Sequence, residues 1–160
     1  MPSQRPPRAT SRSHVTIRAM RPSDLDAVVA LDAQVFGEPR PAYFERRMAP
    51  LGQDEATGHT IGLVAEASGE IVGLVMGTLV SGEFGFAQMT ALVDSIAVHP
   101  AYQRRGVGRR LANAFMAESA ARGAREVYTL VNWNAWDMLK FFDSIGFSLA
   151  STIPLRRTIG

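Results

Sequence analysis

Residues 95–115 read "SIAVHPAYQRRGVGRRLANAF" and hold the fold in miniature. A β run ends at Val98, a short loop opens at His99-Pro100, and Gly106-x-Gly108 leads straight into a helix with Leu111, Phe115 and Met116 facing inward. The first turn of a helix leaves N–H groups unpaired and carries partial positive charge, so an anion can settle there. At Gly106 and Gly108 the absent Cβ lets phosphate oxygens approach those amides. Arg104, Arg105, Arg109 and Arg110 add fixed charge around the same turn. Gly-x-Gly alone is a common pattern; the strand before it and the amphipathic helix after it give it weight. It is not a Walker loop, since no Gly-Lys-Ser/Thr follows. Nor is it a dinucleotide fingerprint, because Leu111 stands where the third glycine would be.

Working outward, "HVTIRAM" alternates as a short strand. "RPSDLDAVVALDAQVFG" follows as a helix, with Ser23 as the cap, Asp26 at the capping-box spacing and Gly37 as the stop. "PAYFERRM" is a second short helix, and "TIGLVAEASGEIVGLVMGTLV" is a hairpin turning at Ser68-Gly69. "MTALVDSIAVHP" is a strand, Gly123 stops the helix after the glycine turn, and "EVYTLV" is a further strand. "NAWDMLKFFDSI" is a helix stopped by Gly146, with Asn134 as its N-cap and Asp137 at the box spacing, and "FSLASTIPLRRTI" is a closing β segment. This order predicts an α/β fold with a central mixed, twisted sheet flanked by about four helices.

The chain has 160 residues, which suits one domain, and it has no cysteine, which excludes disulfides, thiolate metal sites and a thiol nucleophile. Residues 1–13, rich in Pro, Ser and Arg, read as a disordered basic tail ahead of a domain over 14–160. Arg5, Arg8 and Arg12 of that tail account for the formal charge of +2, so the remainder is close to neutral and the charge does not argue for nucleic acid. No apolar run is long enough to span a membrane and no secretory signal is visible, so the expectation is a soluble cytoplasmic protein. His14, His59 and His99 are scattered without metal-ligand spacing, and no metal is expected.

The segment "DSIAVHPAYQRRGVGRRLANAF" resembles the acetyl-CoA binding segment of the GNAT superfamily of N-acetyltransferases, matching Gln/Arg-x-x-Gly-x-Gly/Ala at Gln103, Gly106 and Gly108. The element order from about residue 15 to 159 fits as well. The resemblance implies acetyl-CoA as cosubstrate. Backbone amides from Arg104 through Arg105, Gly106, Val107 and Gly108 to Arg109 would hold the pyrophosphate. The strand at Ile96, Ala97 and Val98 would splay from its neighbour and pair with the pantetheine amides. Arg104, Arg105 and Arg109 would contribute side chains, and Gln103 either touches the ligand or braces the loop. By family habit the resemblance also implies a homodimer.

Acetyl transfer to an amine requires loss of the amine proton, a donor for the developing oxyanion and protonation of the departing thiolate. Asp94 is the acidic residue placed to act as base, in register with Leu92, Ile96 and Val98 by strand alternation. A structural carboxylate is an equal reading of it. Glu83 is a weaker alternative, and Glu66 reads as a solvated hairpin residue. In the family a tyrosine four residues before Gly-Phe lies near the CoA sulfur. Counting back from Gly146-Phe147 puts Phe142 at that tyrosine, Met138 at an alanine and Ala135 at an asparagine, three departures from the pattern. Phe142 cannot donate a proton. It is expected as an apolar wall near the thioester, while Tyr128 on the preceding strand is an alternative acid. Trp133 and Trp136 either line the cleft or pack in the core.

The expected activity is direct acetyl transfer from acetyl-CoA to a primary amine of a small molecule or peptide. The competing expectation is a non-catalytic acyl-CoA binding or regulatory module with the same fold.

Overall fold

Strand alternation and helix periodicity resolve into five strands and four helices among the described residues of the computed structural model, 14–51, 58–81 and 87–159. In chain order these are β1 (Val15–Ala19), α1 (Leu25–Phe36), α2 (Pro41–Met48), β2 (Thr60–Ala67), β3 (Glu70–Val80), β4 (Thr90–Val98), α3 (Val107–Ala121), β5 (Glu126–Thr129) and α4 (Trp136–Ser144). The tail 1–13 and Glu83 lie outside the described residues. The chain forms two compact units, one ending at Tyr128 and one beginning at Thr129.

In the first unit the strands follow sequence order across the sheet, β1-β2-β3-β4-β5. β1 to β4 are antiparallel neighbours, with β2 and β3 joined by the expected turn at Ser68-Gly69. A helical crossover through α3 then carries the chain to β5 beside β4, making the sheet mixed. β3 is apolar almost without interruption and buried from Val72 to Gly77 because both of its faces are covered. One face packs Ile61, Ala65, Val75 and Ala91 with Val107, Leu111 and Phe115 of α3. The other packs Val64, Leu74, Met76 and Ala97 with Val28, Leu31, Phe44 and Met48 of α1 and α2. Burying a side chain such as Phe115 or Phe44 contributes about 1.5–3 kcal/mol, so two filled layers rather than local propensity hold the helices in place.

The α1 entry differs from the capping-box expectation. A 3₁₀ turn at Pro22–Asp24 precedes the helix, and Asp24 rather than Ser23 takes the backbone N–H, that of Arg21, at 2.7 Å. Arg18 forks onto Asp24 at 2.8 and 3.0 Å and reaches Glu66 with Nε at 2.8 Å, so Glu66 is ion-paired rather than simply solvated. Pairing across β1 and β2, which no local pattern reports, creates this cluster.

In the second unit α4 starts from Ala135, with no side-chain cap from Asn134. Phe142 is buried, with its ring edge-on to Phe141 at 5.2 Å and to Phe147 at 5.0 Å. The expected closing strand over 147–159 does not form. Leu149, Ile153, Leu155 and Ile159 are more than four-fifths exposed, so the alternation has no partner strand and no apolar face to cover, and Pro154 lacks an N–H for a ladder. Trp133 and Trp136 are exposed, which removes the core-packing reading for both.

Candidate functional site

The site is built where β4 ends and α3 begins. Beyond Val98 the chain passes through His99, a 3₁₀ turn at Pro100–Tyr102 and the residues Gln103 to Gly106 before α3 starts. His99 braces the turn by accepting the Ala101 N–H on Nδ1 at 3.1 Å. Gln103 donates from Nε2 to the Val98 carbonyl at 2.9 Å, tying the loop back onto the strand that it leaves. Of its two expected roles, loop bracing is the one seen.

Arg104 and Gly106 adopt positive φ of 57° and 78°, so the loop passes through left-handed backbone twice just before α3. A Cβ built on Gly106 would meet nothing within 4 Å, so the glycine serves the left-handed backbone while the space beside it stays open. Arg110 N–H bonds the Gly106 carbonyl at 3.0 Å and is the first closed link of the helix ladder. The amides of Val107 and Gly108 stand ahead of it in the orphan turn that attracts anions. The side chains of this turn are not equivalent. Arg110 is used structurally, reaching the Val15 carbonyl at 2.9 Å, and Arg105 stacks over the Tyr102 ring at 5.6 Å. The loop amides, the open space at Gly106 and the arginines fit a pyrophosphate.

Next to this turn β4 outruns its neighbour. The Arg125 N–H meets the Met89 carbonyl at 3.0 Å at the start of β5, which has only four residues, whereas β4 continues to Val98. Counting forward from that link, Thr129 reaches no further along β4 than about Val93. Among the described strands, Ile96, Ala97 and Val98 therefore present an edge that β5 does not cover.

Asp94 occupies a β-bulge. Met76 pairs with Ser95 and Gly77 with Val93, leaving Asp94 as the extra residue. The bulge changes the parity of the strand, so Asp94 is not in register with Ile96 and Val98 as simple alternation predicts. Those two pack on the α3 side, whereas Asp94 meets α2 on the opposite face. There Arg47 Nη2 donates both to Asp94 Oδ2 and, at 2.5 Å, to Thr78 Oγ1. Thr78 in turn donates to Asp94 Oδ2 at 3.2 Å. Beside this group the Tyr43 hydroxyl lies 3.2 Å from Ser95 Oγ.

Sequence reading missed Arg47. The signal was present in "PAYFERRM", where Phe44 and Met48 mark the buried face and Arg47 follows Phe44 at the i+3 spacing of that face. The orientation of α2 is set by a second pair. Asp32, fully buried on α1, accepts a bidentate fork from Arg40 at 2.9 and 2.7 Å, and the Arg40 guanidinium also covers the rings of Phe36, Tyr43 and Phe44. Tyr128 on β5 donates to Glu126 at 3.1 Å; desolvation and that carboxylate together raise its pKa above the usual phenol value. No cluster of three or more His, Cys, Asp or Glu side chains suited to a metal occurs among the described residues. Phe142, expected near the ligand, lies in the second unit and is described by its own ring contacts above.

A mixed sheet with an uncovered strand end, a bulge beside it and a glycine turn into a helix defines an acetyltransferase-like α/β fold. The chain belongs to the acetyltransferase (GNAT) family, whose model matches residues 25–147. It is 31% identical over 137 residues to an N-alpha-acetyltransferase of Sulfurisphaera tokodaii strain 7, spanning 82% of this chain and 78% of that protein. Its fold matches aminoglycoside acetyltransferase AAC(6')-Iy in complex with a CoA bisubstrate analogue, with a TM-score of 0.76 at 20% identity over 92% of this chain and all of the other. It also matches a ribosomal-protein-alanine N-acetyltransferase from Brucella melitensis biovar Abortus 2308, with a TM-score of 0.72 at 19% identity over 92% of this chain and all of that one.

Proposed function

We propose that residues 14–160 form an acetyl-CoA-dependent N-acetyltransferase domain that acetylates a primary amine by direct transfer. The observation that carries this reading is the Gln103-braced turn with left-handed Gly106, set beside a β4 edge that β5 leaves open. In this reading Gln103 holds the loop while amides from Arg104 to Arg109 receive the pyrophosphate, and the Ile96–Val98 edge receives the pantetheine amides.

The cosubstrate supplies the activated acyl group. The amine nitrogen forms a C–N bond to the thioester carbonyl carbon as the C–S bond breaks, and the proton lost by the nitrogen is balanced by one gained by the thiolate. Asp94 holds the amine as a hydrogen-bond acceptor and water carries its proton. Tyr128, a phenol protonated at neutral pH, is the hydroxyl that supplies a proton to the thiolate. The similarity to an N-alpha-acetyltransferase supports an amine acceptor of peptide type.

A thermal shift with CoA and acetyl-CoA tests the cradle, since ligand at 100 times Kd adds about 2.7 kcal/mol of stability. Thiol release from acetyl-CoA across a panel of amines tests the transfer. A shift without thiol release on any amine supports the non-catalytic module instead, and no shift overturns both.

A further inference from the structure

We propose that Arg47 is the specificity-determining residue of the acceptor side, selecting an α-aminoacyl group over a bare polycation. This rests on the acetyltransferase reading above and names the acceptor class for the same site.

Three arginines meet three aspartates in two different ways. Arg18 and Arg40 each grip their aspartate with two nitrogens on two oxygens. Arg47 holds Asp94 differently. Nη2 alone makes the bonds to Asp94 Oδ2 and Thr78 Oγ1, while Nε is buried without a partner and Nη1 has none among the described residues. A buried donor without an acceptor is uncommon in a finished structure. On the other side of the pair, Oδ1 of Asp94 has no hydrogen-bond partner among the described residues, and the side chain is partly exposed at the bulge. The pair therefore presents an open acceptor in Asp94 Oδ1 and, on the partly exposed Arg47 side chain, an unused donor in Nη1, whereas Nε is buried.

An α-aminoacyl group matches that arrangement. Its amine donates to Asp94 Oδ1, and its carbonyl oxygen, three bonds from the amine nitrogen, accepts from Arg47. Both partners of the pair stay satisfied when such a group binds. A polyamine amine can reach the same Oδ1, but it offers no oxygen to the guanidinium and brings its further positive charges against the Arg47 cation. Asp32, the other carboxylate on this face, is fully buried and taken by Arg40.

The test compares alanyl-alaninamide with spermidine as acceptors for the full chain and for two variants. Arg47→Met keeps the aliphatic stem without the charge, and Arg47→Lys keeps the charge without the fork. The wild-type protein is expected to favour the dipeptide amide. In Arg47→Met the kcat/KM ratio of dipeptide to spermidine falls at least tenfold, through the acceptor KM, with the acetyl-CoA KM within twofold of wild type. Arg47→Lys recovers part of the preference. A ratio unchanged in Arg47→Met, or an acetyl-CoA KM that moves as much as the acceptor KM, overturns the proposal.

Should the wild-type protein transfer to neither amine, the transfer reading fails. The selectivity is then read by calorimetric binding of both amines to the CoA-loaded protein, where the same reversal is expected. Equal dipeptide-to-spermidine ratios in wild type and Arg47→Met would overturn it there as well.

Discussion

Gly77 on β3 and Phe115 on α3 share one position. A Cβ on Gly77 would stand 2.5 Å from the Phe115 ring and inside the contact limit of the Leu92 carbonyl oxygen. The glycine lies opposite Val93 at the register shift that makes Asp94 the bulge residue. α3 and the bulge are thus located through the same contact.

Gly77→Ala is therefore expected to destabilise the fold by roughly 2–3 kcal/mol, at the upper end of overpacking costs. Shrinking the ring with Phe115→Leu does not rescue it, because the Leu92 carbonyl is backbone and cannot retreat. Urea midpoints of the two single variants and the double variant check this. A double variant as stable as Phe115→Leu alone would contradict it.

Gly106→Ala meets no side chain or backbone, only the left-handed φ. Its expected stability loss is about 1–2 kcal/mol. CoA affinity should fall more than stability does, because relaxing φ moves the first-turn amides. Isothermal calorimetry with CoA beside a thermal melt separates the two effects. Equal CoA affinity in Gly106→Ala and wild type would contradict the cradle.

Acid stability should carry the mark of Asp24. Arg18 beside it, helped by the Arg21 N–H and opposed by burial, holds its carboxyl pKa below the usual range. A depressed folded pKa contributes stability that is present above the unfolded value of about 3.9 and is lost as pH falls through the folded value. Asp24→Asn is thus expected to cost about 1.5–3 kcal/mol near pH 7, the worth of a charged hydrogen bond, because Arg18 keeps Glu66 as a partner. Its deficit against wild type should narrow below about pH 4. Denaturant titrations at pH 7 and pH 3 measure this, and a deficit that does not change with pH would contradict it.

Arg40→Ala should cost about 3–5 kcal/mol, since it leaves the fully buried Asp32 carboxylate without a counter-charge. Arg40→Lys should recover less than half of that, because a lysine gives neither the two-nitrogen fork nor the stacking over three rings. Guanidinium midpoints of both variants check the ranking. If the loss is mainly electrostatic, the lysine variant will match wild type instead.

Much of this architecture was legible in the order of patterns along the chain. Alternation marked β1 to β5, Ser68-Gly69 marked the hairpin turn, and Gly106-x-Gly108 between a strand and an amphipathic helix marked the turn into α3. These signals are local: a turn needs its φ and a buried face needs its period, whatever the rest of the chain does. The closing segment shows the limit of that reasoning. Residues 147–159 alternate like a strand, yet a strand exists only where another backbone supplies hydrogen bonds, and alternation cannot name the partner.

The same limit governed the site. The sequence by itself determined that Gln103 to Gly108 could fold into a loop ahead of a helix and that Asp94 sat on the strand leading to it. Only the tertiary structure decided which way Asp94 faces. The bulge between Met76 and Gly77 shifts the parity of β4, and close packing of Phe115 on Gly77 reinforces it from another element. Arg47, distant in sequence, then reaches Asp94 because Asp32 and Arg40 lock α2 against α1. Charge pairing across the fold depends on how separate elements pack, so no window of the chain contains it.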